Sequence, residues 1–290
     1  MKKLCLLVLA SILPIFAFAE DGKEGWQLEL RRIALNLTST QVKNAEKYQG
    51  FPDARLSSND QSLILGDLNF FAGLYMPRGL WSNTLVAQYG KTRVSPADGS
   101  GTVTSKSADI ILFTTDYAFT LWNVEEFLGG FSAGPFINAE YETQFTANDG
   151  TNRRQITRGR GGLKLFKGKY IQDFYVAGVY EYDFTFNPAS SNFAWETGIG
   201  VEYDIREGVK AVFDAYFRDY ISHSESRFTN LDYEAGINAR LDVLVWENFA
   251  VAPVISYFAA QAKEFSGLGQ NLFVGVSFSW SKVIKEAKTR

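Results

Sequence analysis

Cysteine is almost missing from this chain of 290 residues, where Cys5 stands alone. A lone cysteine can neither staple a small secreted scaffold with disulfides nor contribute a thiolate cluster to a metal. Histidine is as scarce, with His223 the single copy, so only carboxylate and carbonyl ligands remain and no metal or cofactor site is expected. Long apolar runs are missing too. Beyond the first twenty residues nothing approaches the roughly 18 consecutive apolar residues of a membrane-spanning helix. Positive charge is also short: 29 Lys and Arg face 32 Asp and Glu. Setting Lys2 and Lys3 aside leaves 27 against 32, an acidic balance that argues against a nucleic-acid partner.

What the chain does have is aromatic residues, 15% of the total, and an N-terminus reading MKKLCLLVLASILPIFAFAEDG. Lys2 and Lys3, a short apolar core and the small-x-small pattern Ala17-Phe18-Ala19 are the parts of a secretory signal, with cleavage expected after Ala19. The apolar core is short for an anchor, and Cys5 precedes it rather than following it as a lipoprotein cysteine would. Residues 1–19 are therefore expected to be the signal peptide. Residues 20–290 are expected to form one domain, ending in a short basic tail.

Period-2 alternation between turn signals marks twelve strands, near residues 26–38, 61–76, 80–93, 104–121, 127–146, 152–167, 170–186, 192–206, 208–223, 230–246, 248–262 and 269–283. The connections alternate. PRG, NVEE, KGK, REG and WEN read as tight turns, whereas SPADGSG, TANDGT, NPASSN, SHSESRF and KEFSGLG are longer and polar, and Thr40 to Asp60 is longest of all. An even number of long strands with tight turns at one end and long loops at the other is the pattern of a membrane barrel.

Side chains alternate across a strand, so each strand has two faces. From Phe174 the even positions are apolar or aromatic, and from Phe193 so are the odd ones: Trp195, Thr197, Ile199, Val201, Tyr203 and Ile205. Aromatics sit toward the ends and aliphatics between, as at a lipid-facing wall. Tyr233 with Trp246, and Trp81 with Tyr89, bracket two further strands in the same way. The opposite faces carry Glu140 and Glu142, then Arg158, Arg160 and Lys164, then Glu181 and Asp183, then Glu196, Glu202 and Asp204, then Arg218 and Arg240. These are the expected lumen-lining residues. A soluble sandwich could carry the same charges outside, but its strands are usually nearer five or six residues long.

The last strand, NLFVGVSFSW, ends in Gly275-x-x-Phe278-x-Trp280. It resembles the C-terminal recognition signal of bacterial outer-membrane β-barrels, which their assembly machinery reads as a glycine followed by spaced aromatic or hydrophobic residues. The resemblance implies a single antiparallel transmembrane barrel of about 12 strands, with short periplasmic turns and longer extracellular loops. It also implies outer-membrane lipids and the barrel-assembly machinery as partners. The chain departs from the usual ending by continuing with SKVIKEAKTR.

Chemistry is thinly signalled. Outer-membrane lipid hydrolases place a His and a Ser two residues apart on one strand face, but His223 has serines at 222, 224 and 226 and none at that spacing. The carboxylates at 140/142 and 181/183 could serve as acid–base dyads, yet each sits beside arginines and is more simply a neutralised wall. Asp-Gly pairs at Asp98 and Asp149 resemble calcium loops only faintly and read as turns. RGRGG lacks the strand–helix context of a phosphate loop. No catalytic residue is expected. Inward acids, with Asp232, Glu234 and Asp242 among them, outnumber inward bases such as Lys210, so the expected function is a narrow channel for small polar solutes with mild cation preference. A structural or adhesive barrel with a closed lumen, resting on the loop from Thr40 to Asp60, is the alternative, and an outer-membrane lipid-modifying enzyme is a third reading.

Overall fold

The computed structural model describes residues 23–57, 61–94, 103–147 and 152–289; the leader, the whole SPADGSG loop and most of TANDGT, with Asp98 and Asp149, lie outside the described residues. Twelve long strands follow one another: β1 (Lys23–Lys43), β2 (Gln61–Met76), β3 (Gly79–Val94), β4 (Val103–Phe119), β6 (Phe131–Thr143), β7 (Gln155–Phe166), β8 (Ile171–Asp183), β9 (Ser190–Arg206), β10 (Val209–His223), β11 (Leu231–Trp246), β12 (Phe249–Ala262) and β13 (Gly269–Lys285). Two short pieces, β5 (Trp122–Val124) and β14 (Lys288–Thr289), complete the set. Each long strand pairs antiparallel with its neighbour among the long strands, and β13 pairs with β1, so the sheet closes into a barrel.

The shortest stave, β7, has 12 residues and β1 has 21. A tilted strand needs about 9–11 residues to cross the hydrocarbon, so every stave spans it and several project beyond. At the C-terminus the chain continues beyond β13 in the same direction, and Lys288–Thr289 pairs antiparallel with Lys23–Glu24. The basic tail thus adds a short ribbon to the first strand. The NVEE stretch is not the tight turn its sequence suggests: residues 120–130 hold β5, which pairs with β6, and a 3-10 turn at Phe127–Gly129. Strand six accordingly begins at Phe131 and not at 127.

Parity is as the pattern requires. Ile137, Leu163 and Val176 are exposed on the outside, while Glu140, Arg158, Glu181 and Glu196 are buried inside. Aromatic rings gather in two bands on the outer wall. Near the long-loop end, Tyr180 meets Phe193, and Trp195, Phe217 and Tyr233 touch in series with centroids 5.4 and 6.0 Å apart. Near the tight-turn end, Trp26 meets Trp81 and Tyr170 meets Tyr203. An apolar belt between two aromatic girdles matches a bilayer with its two interfaces. Phe278 and Trp280 belong to the outer wall, whereas Gly275 faces inward; a Cβ there would lie 2.2 Å from the Leu37 carbonyl oxygen. Glycine at this position permits the close approach of β13 to β1 at the closing seam.

Candidate solute pathway

The barrel interior begins with register. Glu140, Arg158 and Glu181 are direct cross-strand neighbours on β6, β7 and β8, and Glu196, Arg218 and Glu234 are the same on β9, β10 and β11. Opposite charges in such positions meet without bending the chain. Arg158 bonds Glu140 and Glu181, each at 2.6 Å, and Glu142 at 2.5 Å. Arg160 spans two strands, reaching Glu140 and Glu196 at 2.8 Å. Arg218 joins Glu196 at 2.6 Å to Glu234 at 2.7 Å. Tyr175 donates to Glu196 and Asn192 to Glu181. The result is one buried acid–base ladder over half of the inner wall. Each member depends on the others, because an unpaired charge there would be desolvated without compensation.

Other expected pathway residues stand apart from the ladder. Lys164 bonds Asp116 at 2.8 Å and lies 4.7 Å from the Phe136 ring centre. Glu202 and Asp204 share Lys210 at the wetter tight-turn end, and Arg240 pairs with Asp242. Asp183 differs from expectation: instead of facing an arginine it accepts the Thr185 backbone N–H at 2.8 Å and caps its loop. Arg31 and Arg32 were not legible as lumen residues. A β-bulge between Leu30 and Arg32 puts the extra residue out of alternation. Consequently Arg32 bonds Asp67 at 3.0 Å while Arg31 lies over the Phe71 ring, both inside. Two adjacent arginines in an otherwise alternating strand are the signal for it.

The mouth is occupied by the segment between β1 and β2. Residues 44–57 fold inward as a 3-10 turn, Ala45–Tyr48, and one helical turn, Ala54–Ser57. Tyr48, Phe51 and Leu56 are buried against Phe258, Ala260 and Ala262. The Tyr48 hydroxyl donates to the Ala260 or Gly267 carbonyl and accepts the Ala262 N–H. Gln144 and Asn271 donate to the carbonyls of Pro52 and Arg55. Asp53 bonds Arg55 at 2.6 Å and lies 3.7 Å from Arg154, which bonds Glu142 at 2.5 Å. Burial pushes the Asp53 carboxyl up, but Arg55 and then Arg154 outweigh it and hold the group below the usual carboxylate range. The described part of the long loop is therefore tied to the ladder inside the barrel, and is not displayed outside as an adhesive surface would require. Residues 58–60 lie outside the described residues.

Below this plug the lumen holds two cavities. One, of about 360 Å³, is lined by Arg31, Asp116, Lys164, Asp173, Glu202 and Asp214 among others. The second, of about 320 Å³, lies against β1, β2 and β10–β13 and shares Asp214 with the first. Among the described residues no group of three or more His, Cys, Asp or Glu is placed to hold a metal ion. The His223 ring nitrogens lie 2.9 Å from Asn192 Oδ1 and from the Leu231 carbonyl oxygen, and the ring stacks on Tyr220. Both contacts are to oxygens and a neutral imidazole carries a single N–H, so the ring donates to one of them and orders its loop.

No protein-family model and no curated protein sequence matches the chain. Solved structures of similar shape include an active-site mutant of the outer membrane phospholipase A of Escherichia coli, with 12% identity and a TM-score of 0.47 over 91% of this chain and 94% of that one. An outer membrane channel from Pseudomonas putida F1 has 10% identity and a TM-score of 0.46 over 90% and 98%. The transport unit of an Escherichia coli autotransporter has 9% identity and a TM-score of 0.35 over 95% and 96%. Closure of twelve staves, an apolar belt between aromatic girdles and a charged interior have one consistent environment. The chain is a β-barrel of the bacterial outer membrane.

Proposed function

We propose that this barrel is a narrow, loop-gated pathway for small polar solutes, with a mild preference for cations. The supporting observation is the pair of cavities, about 360 and 320 Å³, lying below an inward-folded loop. A barrel meant only as an anchor can fill its interior with side chains throughout, whereas this one packs the mouth and leaves space beneath. Acids supply the cation preference: Asp173, Glu202 and Asp214 open onto the larger cavity, and acidic linings favour cations. In the ladder three arginines meet five glutamates, so it too is acidic on balance.

Planar-bilayer recording tests the proposal. Wild-type protein is expected to give small or rare openings, and protein with residues 44–57 replaced by a short Gly-Ser turn is expected to conduct steadily with a cation-selective reversal potential. A loop-shortened barrel that inserts and remains silent would favour the closed scaffold, whose support is the fully paired ladder.

A further inference from the structure

The second cavity sets an unpaired acid against a largely apolar wall. Its basic groups are all engaged: Arg32 by Asp67 at 3.0 and 3.1 Å, Arg55 by Asp53 at 2.6 Å, and Arg240 by Asp242 at 3.0 Å. Asp67 takes a further bond from Gln88, and Asn238 Oδ1 takes one from Ser256. The remaining polar atoms lack partners. Asn36 Oδ1 and Thr38 Oγ1 have no hydrogen bond although Asn36 and Thr38 are only 8% and 7% exposed, and Asn69 Oδ1 has none either. All three residues line this cavity, but these oxygens are sealed within its wall; the group that opens onto the cavity is Asp214, which is exposed and makes neither hydrogen bond nor ion pair among the described residues.

The cavity thus presents one carboxylate with no ion-pair partner among the described residues. The rest of the lining is apolar and aromatic: Val86, Val254, Phe273 and Phe258, the last with one face covered by the Arg55 guanidinium at 3.7 Å. Ligand cavities are commonly of about 300–1,000 Å³ and combine an apolar wall with a few convergent polar groups. We infer that this cavity binds small organic ammonium ions that carry an apolar body. The ammonium donates to Asp214, and the apolar body lies against Phe273 and Val86. A neutral polyol would also offer donors, but it leaves the Asp214 charge unanswered. An anion meets a site whose arginines are already neutralised. Arg55 belongs to the inward loop, so the ligand sits directly under the segment that closes the mouth. The assignment rests on the pathway reading only for how the ligand arrives.

The test is calorimetric titration of the purified full chain in detergent micelles with 2-phenylethylammonium chloride, 2-phenylethanol and glucose. The ammonium should bind saturably and the isosteric alcohol about tenfold more weakly or worse, the worth of a charge-assisted hydrogen bond. Asp214→Asn should bring the two ligands level while heat-modifiable mobility shows the barrel intact. Equal affinity of the wild type for amine and alcohol, preference for glucose, or an Asp214→Asn protein that still prefers the amine would each overturn the assignment. The wild-type comparison decides the matter even if a variant fails to fold. Amine binding by a barrel that stays silent in bilayers after loop removal would sink the pathway and leave the site standing; conduction without amine binding would do the reverse.

Discussion

Arg158 holds three glutamates with one guanidinium, and its removal leaves three carboxylates converging in a dry wall. Arg158→Ala should destabilise the barrel by about 3–5 kcal/mol, read as a lower midpoint in urea unfolding in detergent. Lys210→Ala, whose pair with Glu202 is half exposed, should change the midpoint by under about 1 kcal/mol. Similar losses at the two sites would mean that the ladder carries no buried charge. Asp53 gives a pH dependence of known sign. Its carboxyl is held below the ordinary value of 3.8, so its contribution to loop docking is complete above that value and is lost as pH falls through the lowered one. Protonation releases Arg55 and Arg154 while relieving repulsion from Glu142. Protease accessibility of residues 44–57 should therefore rise on acidification through the carboxylate range. It should already be high at neutral pH in Asp53→Asn, and an acid response identical in the variant would assign the effect elsewhere.

At the scale of the strand, alternation does most of the work. Ile237 lies outward near the middle of β11, opposite Ala215 on β10 and Tyr257 on β12, and Ile199 holds the equivalent place on β9. Ile237→Arg or Ile199→Arg should destabilise by about 2–4 kcal/mol, as charges at the bilayer midplane do; neutrality at both would reverse the assigned faces. The staves and their faces were legible because a half-buried sheet imposes period 2 on composition. Three features were not. The β1 bulge breaks the period at one residue, and its mark is a single adjacent pair, Arg31-Arg32, which strict alternation assigns to opposite faces. The fold of residues 44–57 depends on contacts with Phe258 and Ala260, some 200 positions away, which no local pattern encodes. The 120–130 connection hides a strand of three residues, too short to alternate visibly. Charged lumen positions could be read as a set, but their partners could not. Partnership follows from register: Arg160 reaches Glu196 across β8, and Lys164 finds Asp116 on the far side of β6.

For the molecule as a whole, closure predicts behaviour in bulk. The mature protein should fractionate with the outer membrane and migrate faster on gels before boiling than after, since a closed barrel keeps its hydrogen bonds in detergent until heated. Recovery in the soluble periplasm would overturn the membrane assignment. The two cavities and the occupied mouth together also predict asymmetric access: a small reagent should reach a cysteine introduced at Asp214 from the tight-turn side of oriented vesicles faster than from the long-loop side. Equal rates from both sides would mean that the loop does not close the mouth.

The ladder also bears on how the sheet finds its own alignment. A slip of one residue between neighbouring strands turns every side chain to the other face. For β7 that would carry Arg158, Arg160 and Lys164 into lipid at about 2–4 kcal/mol each near the midplane, a penalty comparable with the whole folding free energy of a typical domain, about 5–15 kcal/mol. A two-residue slip keeps the faces but sets Arg158 beside Asn138 or Glu142 in place of Glu140 and pulls it from Glu181. The same charges that line the interior thus act as a proofreading key during assembly, rejecting odd offsets through the membrane and even ones through mismatch.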